Sequence, residues 1–97
     1  MPMDVMNVRD ANGGFVRGAK IKGGCICRAP GKNVGEHTTG KGEEVLLVLD
    51  GEATVTANGE TKTLARDECV FIPQETLHDV ANRSDAYLVY VYFVGGK

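Results

Sequence analysis

The stretch GKNVGEHTTGKGEEVLLVLDG, residues 31–51, carries the features that decide the fold of this chain of 97 residues. A glycine-rich bend leads to His37, one of only two histidines, and two adjacent glutamates then open directly into the apolar run VLLVL. The run ends at Asp50-Gly51, a pair that favours a turn. An imidazole and an acid beside a segment that should be buried need polar partners, because burying them unpaired is costly.

The composition is that of an ordinary soluble domain. Hydrophobic residues make up 42% and charged residues 25% of the chain, close to the averages for globular proteins. The length and the even composition predict a single domain over residues 1–97. The start, MPMDVMNVRD, lacks the basic and apolar regions of a signal peptide, and no apolar stretch is long enough to span a bilayer. We therefore expect a cytoplasmic protein that does not interact with membranes.

The charges are distributed unevenly along the chain. The first 32 residues carry a net charge of +4 and the rest of the chain a net charge of −6. The early basic residues include Arg17, Lys20, Lys22 and Arg28. Because they are spaced singly and not clustered with aromatic residues, we expect a solvated sheet face and no binding to nucleic acid. The acidic part contains the candidate site, and acids around a pocket favour a cation over a phosphate.

The three cysteines are expected to be free thiols. Intracellular chains rarely keep disulfides, and Cys25 and Cys27, two apart on a predicted strand, are near the upper distance limit for one. A Cys-x-Cys pair could bind a soft metal, but the chain has no second pair to complete a tetrahedral site. We interpret the pair as small apolar residues buried on a strand.

Turn residues and alternation predict an all-β chain. No window shows apolar residues at helical spacing together with a cap and a stop. Asn58-Gly59 accepts the positive φ angles of a two-residue turn, so the residues on either side predict a hairpin. We count about eight strands joined by short turns, which favours a sandwich or barrel, with two-sheet jelly rolls among the candidates.

The last strand, within AYLVYVYFV, is apolar at both alternating positions. Both of its faces should therefore be covered, because an exposed apolar edge would promote aggregation. In a domain this small a second subunit is a suitable cover. We predict a symmetric homodimer in which sheets pair or pack.

The two histidines and one glutamate form a candidate metal site. If residues 37–39 and 44–49 are adjacent strands, His37 and Glu44 can project into the same interior, with Thr39 on the same face as His37. His78 would come from a distant strand. Two imidazoles and a carboxylate, with positions left open, are typical of non-haem iron, and other divalent metals can occupy the same arrangement.

An alternative without a metal remains open at this point. His37 and His78 could be neutral, hydrogen-bonded histidines near the mouth of a metal-free barrel, with Glu44 solvated or paired to Lys41. We favour the metal because three candidate ligands, two imidazoles and one carboxylate, occur together in the sequence.

The spacing also resembles the first motif of the cupins: a glycine, five residues, His-x-His, three or four residues, a glutamate, six residues and a glycine. Gly31, His37, Thr39, Glu44 and Gly51 fall at those positions, with a threonine in place of the second histidine.

The second cupin motif runs glycine, five residues, Pro-x-Gly, two residues, a histidine, three residues and an asparagine. Pro73, His78 and Asn82 match it, while Asp67 and Glu75 stand where its two glycines would be. Glycine at such turns often serves a positive φ angle, which costs a glutamate roughly 1 kcal/mol. We therefore expect the loop before His78 to differ in shape from that of the family.

The resemblance implies a small double-stranded β-helix, or jelly-roll, with motif 1 at about 31–51 and motif 2 at about 67–82. Cupins usually hold iron, manganese, nickel, copper or zinc between three histidines and a glutamate. Carried over position by position, the resemblance makes His37, Glu44 and His78 the metal ligands here. The hydroxyl of Thr39 is too short to replace an imidazole, so we expect Thr39 to line the pocket and to hydrogen-bond a water beside the ligands.

Two functions are compatible with this sequence. The first is a metal-dependent enzyme of the dioxygenase, decarboxylase or isomerase type, acting on a small polar or carboxylate-bearing molecule. The second is a non-catalytic module that binds a sugar or carboxylate and has a weak or degenerate metal site. No third histidine is present to act as acid or base, so Thr39, Glu75, a tyrosine or a hydroxide bound to the metal would have to move protons in the first case.

Overall fold

A computed structural model describes residues 3–11 and 13–96, which form two antiparallel sheets around a common core. The strands are β1 (Gly13–Arg17), β2 (Ile21–Arg28), β3 (His37–Thr38), β4 (Glu43–Asp50), β5 (Ala53–Ala57), β6 (Glu60–Leu64), β7 (Cys69–Ile72), β8 (Leu77–Ala81) and β9 (Leu88–Gly95). The all-β prediction is confirmed, and these nine strands in the described residues compare with the eight or so expected.

Helical structure in the described part of the chain consists of one 3₁₀ turn, Val8–Asp10. The side chain of Asn7 caps this turn by accepting hydrogen bonds from the backbone amides of Arg9 and Asp10. None of the helical segments found there has the length and apolar character needed to cross a bilayer.

The larger sheet has the strand order β1-β2-β9-β4-β7, and the smaller sheet has the order β3-β8-β5-β6. The apolar last strand, β9, therefore lies in the middle of the larger sheet with both edges paired. Its residues alternate between the interior, where Leu88 and Tyr90 are buried, and the outer face, where Phe93 is 37% exposed. This arrangement explains why the strand is apolar at both its inward-facing and its outward-facing positions.

The core lies between the two sheets. The inward side chains of the larger sheet, including Leu46, Val48 and Leu88, pack with Val55 and Val80 of the smaller sheet in one cluster. Each of these is 0–3% exposed, and burying a side chain of this size contributes about 1.5–3 kcal/mol. The packed layer fixes the distance between the sheets at the end where the polar side chains of the candidate site meet.

The predicted hairpin between β5 and β6 is confirmed. Asn58 and Gly59 have φ angles of 50° and 77°, as a two-residue turn of this hand requires. The register from Ala53↔Leu64 to Ala57↔Glu60 is unbroken. The turn chemistry alone was sufficient to predict this element.

Asp67 and Glu75, at the positions of the two family glycines, adopt φ angles of 70° and 54°. The backbone before His78 therefore keeps the left-handed conformation that a glycine would serve, and the expected change of shape is not needed to accommodate Glu75. The backbone amide of Glu75 donates to the carbonyl of Gly40 at 2.7 Å, which holds the residue in this conformation.

Replacing Glu75 by glycine should stabilise the protein. The left-handed conformation lowers the stability of a non-glycine residue by about 1–2 kcal/mol, and glycine avoids this strain. Glycine also loses more conformational entropy on folding, which cancels about half of the gain. We expect Glu75→Gly to exceed Glu75→Ala in free energy of unfolding by about 0.5–1 kcal/mol in urea denaturation. Alanine at this position is the control because it keeps the strain; a glycine variant less stable than the alanine variant would contradict the assignment.

Three exposed apolar side chains form a row across the outer face of the larger sheet. Val45 is the register partner of both Phe71 and Phe93, and the three are 41%, 55% and 37% exposed. Phe15 packs edge-on against Phe93 with ring centroids 5.6 Å apart. A five-stranded face measures roughly 600 Å² in projection, comparable with the ~800 Å² that each partner buries in a standard interface.

We propose this row as the contact of the homodimer that the sequence predicts. A lysine at Phe71 should separate the subunits, because its charge would be buried against a second copy of the same apolar row. Light scattering after size exclusion should give a two-chain mass for the wild type and a one-chain mass for Phe71→Lys. The matched control is Leu77→Lys, at a residue 53% exposed on the other sheet, which should remain dimeric. A one-chain wild type would show that the row is not an interface.

Candidate metal centre

His37 and His78 meet through strand pairing in the smaller sheet. The two residues are direct register partners across β3 and β8, and their ring centroids lie 4.2 Å apart with the planes tilted by 60°. His37 is exposed on the edge strand, whereas the side chain of His78 is 0% exposed. The expectation that a distant strand brings His78 to His37 is therefore confirmed.

Glu44 reaches the two imidazoles from the opposite sheet. It lies near the start of β4 and points inward with Leu46 and Val48 because alternate side chains of a strand share a face. The expectation that the strands holding His37 and Glu44 are neighbours is wrong, since β3 and β4 belong to different sheets. A tight turn with a hydrogen bond from Gly42 to Thr39 joins them, so the side chains meet across the interior.

These three side chains form a group that could hold a metal ion. One ligand atom from each of His37, Glu44 and His78 lies within 4.8 Å of the others. Two imidazole nitrogens and a carboxylate oxygen suit the divalent first-row transition metals.

Backbone carbonyls fix the tautomer of both histidines. His37 Nδ1 lies 2.8 Å from the carbonyl oxygen of Gly35, and His78 Nδ1 lies 3.0 Å from that of Thr76. A carbonyl oxygen only accepts, so each Nδ1 must carry the proton and donate it. In the neutral ring the lone pair is then on Nε2, which is the usual arrangement for an imidazole that binds a metal.

The arrangement leaves one buried atom without a partner. His78 Nε2 is buried and makes no hydrogen bond within the described residues; it lies 3.4 Å from Glu44 Oε1, longer than a good N–H···O bond. Burial raises the pKa of the Glu44 carboxyl, against the opposing effect of His78 and His37. A neutral imidazole and a carboxylate would face each other with lone pairs, and a cation between them would resolve that conflict.

The alternative in which Glu44 is solvated or paired to Lys41 is wrong on two counts. Glu44 is only 7% exposed, and in the described part of the chain the basic side chain found within 4.0 Å of its carboxylate is His78, at 3.4 Å, and not Lys41.

Thr39 lines the cavity described below, but its hydroxyl is engaged with the backbone. Thr39 Oγ1 donates to the carbonyl of Pro73 at 2.6 Å and accepts from the amide of Thr76 at 3.1 Å. The carbonyl of Thr76 is the acceptor for His78 Nδ1. Thr39 therefore fastens the loop that orients His78, and its proton is not available to a water beside the ligands.

Asp79 and Asn82 support the site at a distance from the ligand atoms. Asp79 Oδ1 accepts from the backbone amide of Gly35 at 3.0 Å, and the carbonyl of Gly35 orients His37. Sequence reasoning missed Asp79, because its partner is distant in the chain. The side-chain amide of Asn82 donates to the carbonyls of Arg28 and Ala86, as expected for a turn-stabilising amide.

A cavity of about 350 Å³ opens beside His37 and Glu44. Its wall includes His37, Thr39 and Glu44, together with four residues that sequence reasoning did not assign to the site: Arg17, Lys22, Tyr90 and Tyr92. The sequence predicts a solvated sheet face for Arg17 and Lys22. Both side chains are exposed, but both also line the cavity. The sequence also predicts acidic residues around the pocket, and this prediction is wrong for the part of the wall formed by Arg17 and Lys22. Burial raises the pKa of the Tyr90 phenol, so Tyr90 is a neutral hydrogen-bond donor.

Comparison with curated proteins finds a relative among the proteins of polyketide synthesis. The chain is 36% identical over 62 residues to the tetracenomycin polyketide synthase protein TcmJ of Streptomyces glaucescens. The match covers 64% of this chain and 42% of that protein, so the chain spans less than half of the relative's length.

Comparison with solved structures shows the fold. A conserved protein with a double-stranded β-helix domain from Klebsiella pneumoniae superposes with a TM-score of 0.87 at 15% identity, covering 98% of this chain and 91% of that one. A protein described as a predicted oxalate decarboxylase from Thermotoga maritima gives 0.77 at 14% identity, covering 97% and 100%. The double-stranded β-helix expected from the sequence is thereby confirmed.

The family comparison covers most of the chain. The model of the Cupin domain family matches residues 25–94, a span that contains His37, Glu44 and His78. Together with the two-sheet fold, this match shows that the chain belongs to the cupin family.

Proposed function

We propose that this cupin binds a divalent transition metal through His37, Glu44 and His78 and is an enzyme that acts on a small polar or carboxylate-bearing molecule. The observation that carries the proposal is the buried, unpartnered Nε2 of His78, 3.4 Å from a buried carboxylate. Burying such groups without a partner is unfavourable by several kcal/mol. A bound cation is the simplest partner for both.

Three side chains of the chain would hold the ion. His37 and His78 would offer Nε2, with their rings kept in place by the carbonyls of Gly35 and Thr76. Glu44 would supply the one negative charge, leaving a net positive charge at a divalent ion. When bound, the metal would supply Lewis-acid polarisation of a substrate oxygen.

The cavity wall supplies groups suited to proton transfer. Tyr90 and Tyr92 line the cavity together with Glu44, and a neutral phenol can donate a hydrogen bond or a proton to a substrate oxygen. This supports an enzyme over a module that only binds. The reaction classes open to such a centre are dioxygenation, decarboxylation and isomerisation, and iron, manganese, nickel, copper and zinc all suit its ligands.

The decisive measurement is metal content by mass spectrometry of protein purified without added ions. We expect near-stoichiometric metal in the wild type and a loss to background in His37→Ala, His78→Ala and Glu44→Gln, because each removes one ligand atom. Glu43→Gln is the matched control, since it makes the same chemical change at the exposed neighbouring residue and should keep the metal.

Circular dichroism should show that each variant keeps its fold. Unchanged metal content in both histidine variants would refute the assignment of the ligands. A substoichiometric redox-inactive metal in the wild type would instead favour the binding module.

The bonds of Thr39 generate a further prediction about the site. Thr39→Val keeps the shape of the side chain but removes the bond to Pro73 and leaves the amide of Thr76 unpaired. We expect a loss of about 2 kcal/mol in free energy of unfolding. We also expect the metal dissociation constant to rise about tenfold, because the loop whose carbonyl orients His78 would no longer be held in place.

The control for this prediction is Thr38→Val. Thr38 is the exposed neighbour, and its hydroxyl accepts one bond from the amide of Gly40. Chemical denaturation and metal titration should show smaller effects for this variant. Equal effects of Thr38→Val and Thr39→Val would show that Thr39 has no special role in orienting His78.

A further inference from the structure

Two basic side chains stand together on one wall of the cavity. Arg17 and Lys22 are direct register partners across β1 and β2, and both line the cavity that contains His37 and Glu44. Among the described residues, neither forms an ion pair within 4.0 Å; the pairs found there involve Arg9, Lys62 and His78. Two neighbouring cations without a protein counter-charge create a local positive potential in the cavity.

A β-bulge directs Arg17 to this wall. Gly14 pairs with Gly24 and Arg17 with Lys22, so three steps along β1 match two steps along β2, and the register shifts between Gly14 and Val16. With regular alternation, Arg17 would lie on the face opposite to that of Gly14. The extra residue at Phe15 returns Arg17 to the inward face, and bulges often redirect a side chain in this way beside a site.

Two glycines make room on the same face. A Cβ at Gly14 would lie 3.1 Å from Arg17 Nη2, and a Cβ at Gly24 would lie 2.8 Å from Tyr92 Oη. The guanidinium and the phenol therefore lie across the two bare backbones of a cross-strand glycine pair. A side chain at either glycine would displace one of these polar groups from its present position.

We propose that Arg17 and Lys22 bind the carboxylate of a small organic acid, whose other end reaches the His37, Glu44 and His78 group. The planar guanidinium can donate two parallel hydrogen bonds to a carboxylate, and the ammonium adds a second positive charge. A neutral sugar would leave both charges unmatched. A cavity of about 350 Å³ is of the size that holds a small ligand. The second half of this inference rests on the proposed function, whereas the first half does not require the metal.

The test measures carboxylate binding with the metal removed. Succinate is titrated into the full-length protein after dialysis against EDTA, and the dissociation constant is read from amide chemical shifts of Gly14, Gly24 and Tyr92. Succinamide, the uncharged analogue, and inorganic phosphate are titrated in parallel. We expect succinate to shift these amides and succinamide to leave them unchanged.

The variants assign the binding to the two side chains. Arg17→Gln should weaken succinate binding about tenfold, as loss of a charge-assisted bidentate contact does, and Lys22→Gln should weaken it roughly threefold, as loss of a single charge contact does. Arg66→Gln removes the same charge from an exposed residue in the loop between β6 and β7 and should leave the affinity within about twofold, since exposed charges at a distance are screened.

Each remaining outcome decides the question. Equal affinities for succinate in Arg17→Gln and Arg66→Gln would overturn the inference even if the metal-content test succeeds. Tighter binding of phosphate than of succinate, with the same dependence on Arg17, would overturn the assignment to a carboxylate. Succinate binding that depends on Arg17, in a chain that retains no metal after purification, would support the anion site and contradict the proposed metal chemistry.

Discussion

The structure depends on one electrostatic constraint, the burial of the Glu44 carboxylate beside the imidazole of His78. Both side chains are almost inaccessible, with side-chain exposures of 9% and 0%, and they lie 3.4 Å apart without a formed hydrogen bond. Desolvation raises the pKa of Glu44, which means that the folded chain without a cation resists keeping this group ionised. Burying this carboxylate without a compensating positive charge destabilises the fold, and a positive charge beside it would remove that cost.

The remaining hydrogen bonds around the site hold the candidate ligand atoms in this geometry. Each imidazole donates to a backbone carbonyl two residues before it in the chain. Those carbonyls belong to segments that are themselves fastened, one by Asp79 through the amide of Gly35 and the other by Thr39 through the amide of Thr76. Thr39, which stands at the position of a family histidine, therefore stabilises the loop before His78 through its hydroxyl.

The cavity combines two kinds of charge that come from different parts of the chain. The acidic group, Glu44, is supplied by β4 in the acidic part of the chain after residue 32, whereas the basic wall is supplied by Arg17 and Lys22 on β1 and β2. In the proposed binding mode, an organic acid that bridges the two would neutralise the basic wall at one end and place an oxygen near the candidate metal ligands at the other. The uneven charge along the sequence thus meets in the wall of a single cavity.

The sequence by itself determined the fold class, the hairpin at Asn58-Gly59 and the three candidate ligands, because these depend on local turn chemistry, alternation and motif spacing. It did not determine that Glu44 approaches from the opposite sheet, since the pairing of β3 with β8 and of β4 with β9 is a long-range choice. Nor did it reveal Arg17 and Lys22 as cavity residues. The bulge at Phe15 reverses the expected face of Arg17, and only the register between β1 and β2 shows that an extra residue is present.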